Sequence, residues 1–343
     1  MQRESDVIRN AESLLRLNML YTANNGSFQT TSLGMALTED VKISKPAVAK
    51  RIRNSREWLR WMAMELCAEQ GATIEKPAFL SDKNVQLVDA TDETTNGKNK
   101  DIWRLHYVFN LFGFHATDME LTSAKEGERL TRHTISSNDI YIADRVYCTI
   151  NSIEHVLSGG ADFLLRFKSK AFNLYNEAGE RIEILPALRS LSNLESSDFR
   201  CFYKLPCGTL RPLRIVAMKK EAKAIEDSKR KMERKASKNQ GKQAHADTIE
   251  LNEYITLATS LEYTNEQILE LYRARWQIEQ VFHRLKSLFG YGNVPSKRDD
   301  TVKAWFYGKL MLAALCESIL KRVPFPPEYN TKIADVVGAQ FMG

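Results

Sequence analysis

Between Tyr272 and Lys286, in YRARWQIEQVFHRLK, one carboxylate lies among side chains suited to gripping a phosphate. The preceding TNEQ, Thr264 to Gln267, is a capping-box signature that starts a helix with Leu271, Ile278 and Leu285 among its apolar positions. With about 100° between successive helical side chains and Tyr272 as zero, Arg275 falls at about −60°, Glu279 at about −20° and Lys286 at about −40°. A phenol, two cations and a carboxylate then share a stripe roughly 20 Å long. Any two of them would suit a solvated helix face, where charges mix through i,i+4 pairs. Four in one register predict a surface that meets phosphate. Two further carboxylates close apolar runs: Asp89 in VQLVDA and Asp144 in DIYIAD. A strand-end carboxylate is by itself more often a cap, so neither decides the matter alone. Hard cations such as Mg²⁺ take carboxylate oxygens and keep several waters, which suits phosphoryl transfer. Two such ions about 4 Å apart can activate a water or hydroxyl and stabilise the leaving oxygen of an in-line displacement. Asp92, three residues after Asp89, is the nearest competitor and reads as a bystander.

The elements that must carry these residues follow from the rest of the chain. Its 343 residues suffice for two or three domains, and 43% hydrophobic with 27% charged residues describes an ordinary soluble protein. A net charge of +6 permits a nucleic-acid partner without requiring one. Five scattered cysteines with no CxxC pair, and six histidines without ligand spacing, argue against a disulfide frame or a zinc site. Reduced thiols, no leader sequence at the start and no apolar stretch long enough to span a bilayer predict a cytoplasmic protein.

An amphipathic helix is expected over residues 4–22, with Val7, Ile8, Ala11, Leu14 and Leu15 apolar, until Asn-Asn-Gly-Ser at 24–27 interrupts it. A short helix from Ser32 to about Val41 and a turn precede a third, capped by Ser44 with Pro46 in its first turn. That helix, KPAVAKRIRNSREWLRWM, would bury Val48, Ile52, Leu59 and Met62 and offer Lys50, Arg51 and Arg53 outward. Two short helices and a tight turn, with positive charge concentrated on the second, read as a helix-turn-helix whose Lys50, Arg51 and Arg53 bind DNA. A plain helical bundle is the alternative.

From Val85 the texture is that of strands: VQLVDA, IWRLHYVFNL (102–111) and HATDMELT (115–122). A helical segment at about 123–133, the strand DIYIAD, a helix INSIEHVL closed by Gly159-Gly160 and the strand ADFLLRFK (161–168) follow. They outline an α/β sheet with two strands finishing on carboxylates, where such sheets place their sites. Residues 170–258 look mostly β, with short strands at 181–186, 199–205 and 213–218. The polar stretch from Lys219 to Lys242 holds ten Lys or Arg against four Asp or Glu. It fits a solvated, partly disordered helical hairpin and a DNA-backbone surface equally well. A final apolar helix is expected from Ala304 to Leu320, then a tail containing PFPPEYN.

The spacing Tyr272-x2-Arg275-x3-Glu279-x6-Lys286 resembles the YREK motif of bacterial cut-and-paste transposases of the insertion sequence 4 family, and RWQIEQVFHRLK fits that family's wording. LVDATD, ADRVY and the YREK-like helix occur in the family's order, so the likeness covers about residues 80 to 320. It implies an α/β fold: a ribonuclease H-like mixed sheet flanked by helices, with a mostly β insertion domain and an N-terminal helical domain. Asp89 on the first strand, Asp144 on the fourth and Glu279 on the long helix are then the catalytic, metal-binding acids. Two Mg²⁺ ions are the implied cofactors, with Mn²⁺ as a substitute. Tyr272, Arg275 and Lys286 join Lys50, Arg51 and Arg53 as DNA-binding residues.

The expected boundaries are 1–75 for the helical domain, 80–169 and 259–322 for the two parts of the core, 170–258 for the insertion and 323–343 for the tail. The implied reaction nicks a transposon end, and the freed 3′-OH attacks the opposite strand to form a hairpin. The ends are later joined to target DNA. Partners would be double-stranded DNA, as terminal inverted repeats and target, and a second copy in a synaptic homodimer associated with the nucleoid. Two departures stand out. No tryptophan lies in residues 170–258, so Tyr203, Phe202 or another aromatic would have to stack on a flipped base. Little sequence follows the last helix to supply a dimerisation domain. A decayed transposase that only binds DNA, or a structure-selective nuclease on the same core, are the competing readings. The complete set of three acids disfavours decay, and the basic N-terminal helices disfavour a nuclease without sequence recognition.

Overall fold

Four helices open the chain in a computed structural model that describes residues 8–69, 71, 74–95, 101–168, 171–238, 246–289 and 294–322. Helix α1 (Ala11–Ala23) starts later than its apolar pattern predicts, because Asn10 Oδ1 accepts the Ser13 N–H at 2.8 Å and fixes the cap there. Residues 1–7, including Val7, lie outside the described residues. Helix α2 (Phe28–Thr38) begins at a Ser27 cap rather than at Ser32. The single helix expected next is two: α3 (Lys45–Asn54) and α4 (Arg56–Glu69). Ser55 occupies the break. Its Oγ donates to the Arg51 carbonyl at 2.9 Å and meets the buried Asn18 amide at 3.2 Å, and this local bond competes with helix continuation. Ser44 holds the N-cap position of α3 without a side-chain cap bond.

Val48, Ile52 and Leu59 are buried as the pattern requires, while Met62 is half-buried. They face the chain's final helix, Asp299–Arg322, which packs on α1, α3 and α4. That helix was expected beside the core; it belongs to the helical unit instead. Gly308 allows the close approach, since a Cβ there would lie 2.4 Å from Thr22 Oγ1. The expected tail, 323–343, lies outside the described residues.

The second compact unit is built on one mixed sheet. In chain order it holds β1 (Val85–Thr94), β2 (Ile102–Asn110), β3 (His115–Ser123), β4 (Ile140–Ala143), α5 (Ile150–Ser158), β5 (Asp162–Arg166), β6 (Leu174–Tyr175) and β7 (Arg181–Ile182). There follow α6 (Leu185–Leu188), β8 (Ser196–Lys204), β9 (Leu210–Lys219), α7 (Ala222–Lys238), α8 (Ala246–Leu251), β10 (Tyr254–Thr259), α9 (Asn265–Arg273) and α10 (Trp276–Phe289). The strand order is β3-β2-β1-β4-β5-β10-β9-β8-β6-β7. Strands β1, β4 and β5 run parallel, β2 and β3 form an antiparallel pair, and β10 is antiparallel to β5 and β9. All four residues of β4 are buried, as a central parallel strand covered on both faces requires.

Three expectations change here. The expected helix at 123–133 is a turn with one 3-10 segment at Leu130–Arg132, because Arg132 folds back onto the Gly127 carbonyl at 2.9 Å and Glu126 at 2.6 Å. Strand β1 does not stop at Asp89 but continues to Thr94. The β-rich segment is no separate sheet: β10, unanticipated in TIELNEYITLATS, joins β5 on one side and β9 on the other. The basic stretch is helical through α7, and its last residues, 239–242, lie outside the described residues.

Candidate active site

Strand register brings the first two acids together. Val88 pairs with Ala143, and Ala143 with Leu165, across the parallel strands β1, β4 and β5. The next residue on each is Asp89, Asp144 and Arg166. Three adjacent strands therefore deliver two carboxylates and a guanidinium in a row, at the carboxyl ends of β4 and β5 and midway along the longer β1, and strand carboxyl ends are the usual location of a site in an α/β sheet.

The helical stretch brings the third. The Thr264 capping box forms as its sequence predicts, with the Gln267 N–H donating to Thr264 Oγ1 at 3.3 Å and the Thr264 N–H to Gln267 Oε1 at 3.0 Å. The helix it starts is interrupted, however. α9 ends at Arg273 and α10 begins at Trp276, joined by three-residue bonds from the Arg275 N–H to the Tyr272 carbonyl (3.1 Å) and from the Ile278 N–H to the Arg275 carbonyl (3.2 Å). Counting 100° per residue does not carry across this turn, yet Tyr272 and Glu279 both still meet Arg275. The redirected α10 buries Ile278 and sets Phe282 edge-on to Tyr107 of β2, ring centroids 5.9 Å apart.

Arg275, at the turn, links the acids. Its Nη1 donates to Asp89 Oδ2 at 3.2 Å and its Nη2 to Glu279 Oε1 at 2.5 Å. Asp89 Oδ1 accepts the Ala90 N–H at 2.9 Å. Burial pushes the Asp89 carboxyl up to about 6 despite the Ala90 N–H and Arg275, and the charges of Asp144 and Glu128 add to the rise. Burial likewise raises the Tyr272 phenol, against the opposing pull of Arg166 and Arg275.

The remaining predicted residues are distributed differently. Lys286 lies 3.6 Å from Oε1 of Glu93, a carboxylate only 5% exposed, so it is engaged by a protein acid rather than projecting alone. Asp92 is gripped by Arg104 through bonds of 2.7 and 2.9 Å. In the helical unit Lys50 is exposed and Arg51 half-buried. Arg53 does not point outward: its Nε donates to Thr301 Oγ1 at 3.1 Å and its guanidinium lies 5.9 Å from the Phe28 ring centroid. Lys50→Ala is accordingly expected to weaken DNA binding and flatten its log-log salt slope by about one, leaving stability unchanged. Arg53→Ala is expected instead to cost about 1–2 kcal/mol in urea unfolding of the full chain, through a lost charged hydrogen bond.

Among the described residues no group of three His, Cys, Asp or Glu side chains is arranged to hold a metal ion. The donor set nevertheless fits a hard divalent cation. Asp89 is half-buried, its charge is disfavoured there, and other carboxylates press on it, a local excess of negative charge that a cation would offset. Beside this acid end runs a basic one that sequence reasoning missed. Arg145, Arg166 and Lys168 line a cleft of about 90 Å³ with Tyr254 and Asn252. Arg145 reaches Asp144 only at 3.9 Å. Burial, with repulsion from Arg166 and Arg145, lowers the nearby Lys220 amine to about 8. Arg166 had one signal, its place as the charged residue that closes the apolar run ADFLLR, though not its place beside Asp144; Glu128 and Lys220 had none.

Residues 80–315 match the family described as Transposase DDE domain. The chain is 30% identical over 329 residues to a protein of Escherichia coli K12 named as transposase InsL for insertion sequence element IS186A, a match covering 93% of this chain and 88% of that one. It is also 30% identical over 330 residues to the Escherichia coli transposase for insertion sequence element IS421, with the same shares covered. The transposase for insertion sequence element IS231F of Bacillus thuringiensis subsp. israelensis is 26% identical over 207 residues, 54% of this chain and 43% of that one.

Proposed function

The chain belongs to the Transposase DDE domain family, and we propose that it is a DNA transposase whose acids Asp89, Asp144 and Glu279 cut and rejoin the ends of an insertion sequence. The observation that carries this reading is the register that sets Asp89 beside Asp144, with Glu279 tied to Asp89 through Arg275. The order β3-β2-β1-β4-β5 with β2 antiparallel supports a ribonuclease H-like core.

Asp89, Asp144 and Glu279 are the residues that would hold Mg²⁺, or Mn²⁺ in its place; bound there, one or two ions would supply an activated water and a counter-charge for the leaving oxygen. The protein's own groups do the rest. Arg145, Arg166 and Lys168 offer a phosphodiester backbone a cationic track next to Asp144, where low local dielectric strengthens each contact. Tyr272, half-buried and protonated, presents a hydroxyl and a ring beside Arg275. Lys50 on α3 faces solvent, as end recognition by the helical unit requires. Two copies, each holding one end in a synaptic homodimer, complete the reading. No described helix is long and apolar enough to cross a membrane.

The test is direct. The purified chain, given Mg²⁺ and a duplex carrying the inverted repeat that flanks its gene, is expected to cut at the repeat boundary and leave a 3′-OH. Binding without cutting either strand would favour a non-catalytic DNA-binding protein instead.

A further inference from the structure

Both oxygens of Asp89 are engaged before any cation arrives. Oδ1 accepts the Ala90 N–H at 2.9 Å, and Oδ2 accepts Arg275 Nη1 at 3.2 Å. The other prong of the same guanidinium holds Glu279 Oε1 at 2.5 Å. One side chain, 17% exposed, thus stands between an acid carried on β1 and an acid carried on α10. Mg²⁺ binds carboxylate oxygens at about 2.0–2.1 Å, closer than either guanidinium nitrogen here, so it competes for Asp89 Oδ2 and Glu279 Oε1 and meets a like charge beside them. Arginine cannot give way by losing its proton. It has to move.

We infer that Arg275 is an exchangeable counter-ion of the acid site: it bridges Asp89 and Glu279 in the cation-free protein and transfers to a DNA phosphate when the strand arrives, opening both carboxylates to the divalent ion. This rests on the transposase reading given above. The guanidinium fork matches a phosphate as well as a carboxylate, so the exchange replaces one two-pronged, charge-assisted contact with another. Arg275 is also well placed to swing. It sits on the turn between α9 and α10, anchored by its N–H on the Tyr272 carbonyl at 3.1 Å, so its long side chain can change partner without shifting Ile278 or Phe282. Arg166, at the end of β5, repels Arg275.

The exchange couples two ligands through one side chain. By linkage, DNA must then tighten cation binding by the same factor as the cation tightens DNA binding. In its absence the free protein would still bind cations, but indifferently to DNA. The arrangement keeps the acids covered away from an end and exposes them on one.

Mn²⁺ binding by the full chain, read from the loss of the free-ion electron paramagnetic resonance signal, tests this. It is measured alone and with a pre-cleaved end duplex, after subtracting Mn²⁺ held by the duplex itself. In the wild type the duplex is expected to tighten Mn²⁺ binding by roughly tenfold, within the usual range of allosteric couplings. Arg275→Gln should bind Mn²⁺ without DNA about as tightly as the wild type does with it, and should gain little from the duplex. Arg275→Lys, which keeps the charge and loses the fork, should lie between. Equal wild-type affinity with and without duplex would overturn the exchange while leaving the acid site standing, and this comparison needs no variant to fold. Wild-type affinity in DNA-free Arg275→Gln would overturn it as well. No Mn²⁺ held in either state would overturn the acid-site reading, and the exchange with it.

Discussion

Asp89→Asn is expected to stabilise the cation-free protein while ending strand cleavage. Burial lifts the Asp89 carboxyl from 3.8 to about 6 in the folded chain. Its folded value lies above its unfolded one, so between about pH 4 and 6 the native state binds more protons than the unfolded state, and stability falls as pH rises through that window. Above about pH 6 the full penalty applies, on the order of 3 kcal/mol at about 1.4 kcal/mol per tenfold. Asparagine carries no charge to desolvate and still offers Arg275 an acceptor. Urea unfolding in chelator should therefore show a gain of about 2 kcal/mol near pH 7.5 that disappears near pH 4. A variant no more stable than the wild type at the higher pH would show that Asp89 is not held at a cost. The same substitution removes a cation ligand, so stability and activity move in opposite directions, as expected at a site built for function.

Asp144→Ala and Glu279→Gln are each expected to lower end cleavage by about a thousandfold or more, comparable to or beyond the loss of one preorganised transition-state contact. Neither should unfold the chain, since Asp144 is 41% and Glu279 45% exposed at the side chain. Glutamine keeps an oxygen for Arg275 Nη2, which separates loss of the charge from loss of the bridge. Duplex binding, measured by gel shift in chelator, should remain within a few-fold of wild type, because phosphate contacts carry most of that affinity. A matching fall in binding would assign these acids to fold or DNA contact.

The sequence was most informative where local chemistry decides structure. The Thr264–Gln267 capping box, the buried β4 run and the placement of Asp144 one residue past it were legible because caps and apolar runs act within a few residues. The turn at Ala274–Arg275 was not. Helical periodicity predicts where side chains go only while the helix continues, and here the burial of Ile278 and Phe282 on the sheet redirects it. The same limit explains Ser55, whose bond to Arg51 divides a pattern that reads as continuous. Arg53 looked like a surface cation because its partners, Thr301 and Phe28, lie far away in sequence. Lys286 was expected to face phosphate, and Glu93, which meets it, showed no reason in sequence to be buried. Long-range pairing is also what placed β10 at the join of the sheet and Arg166 beside Asp144.

End cleavage by Asp144→Cys in Mg²⁺ and in Mn²⁺ tests the central claim most directly, because it asks whether this side chain is a cation ligand. A thiolate is a poor ligand for Mg²⁺ and a better one for the softer Mn²⁺. The variant should leave the end duplex uncut in Mg²⁺ and recover cutting in Mn²⁺, while Asp144→Ser recovers in neither. Cleavage by Asp144→Cys in Mg²⁺ at the wild-type rate would contradict it and remove Asp144 from the cation site.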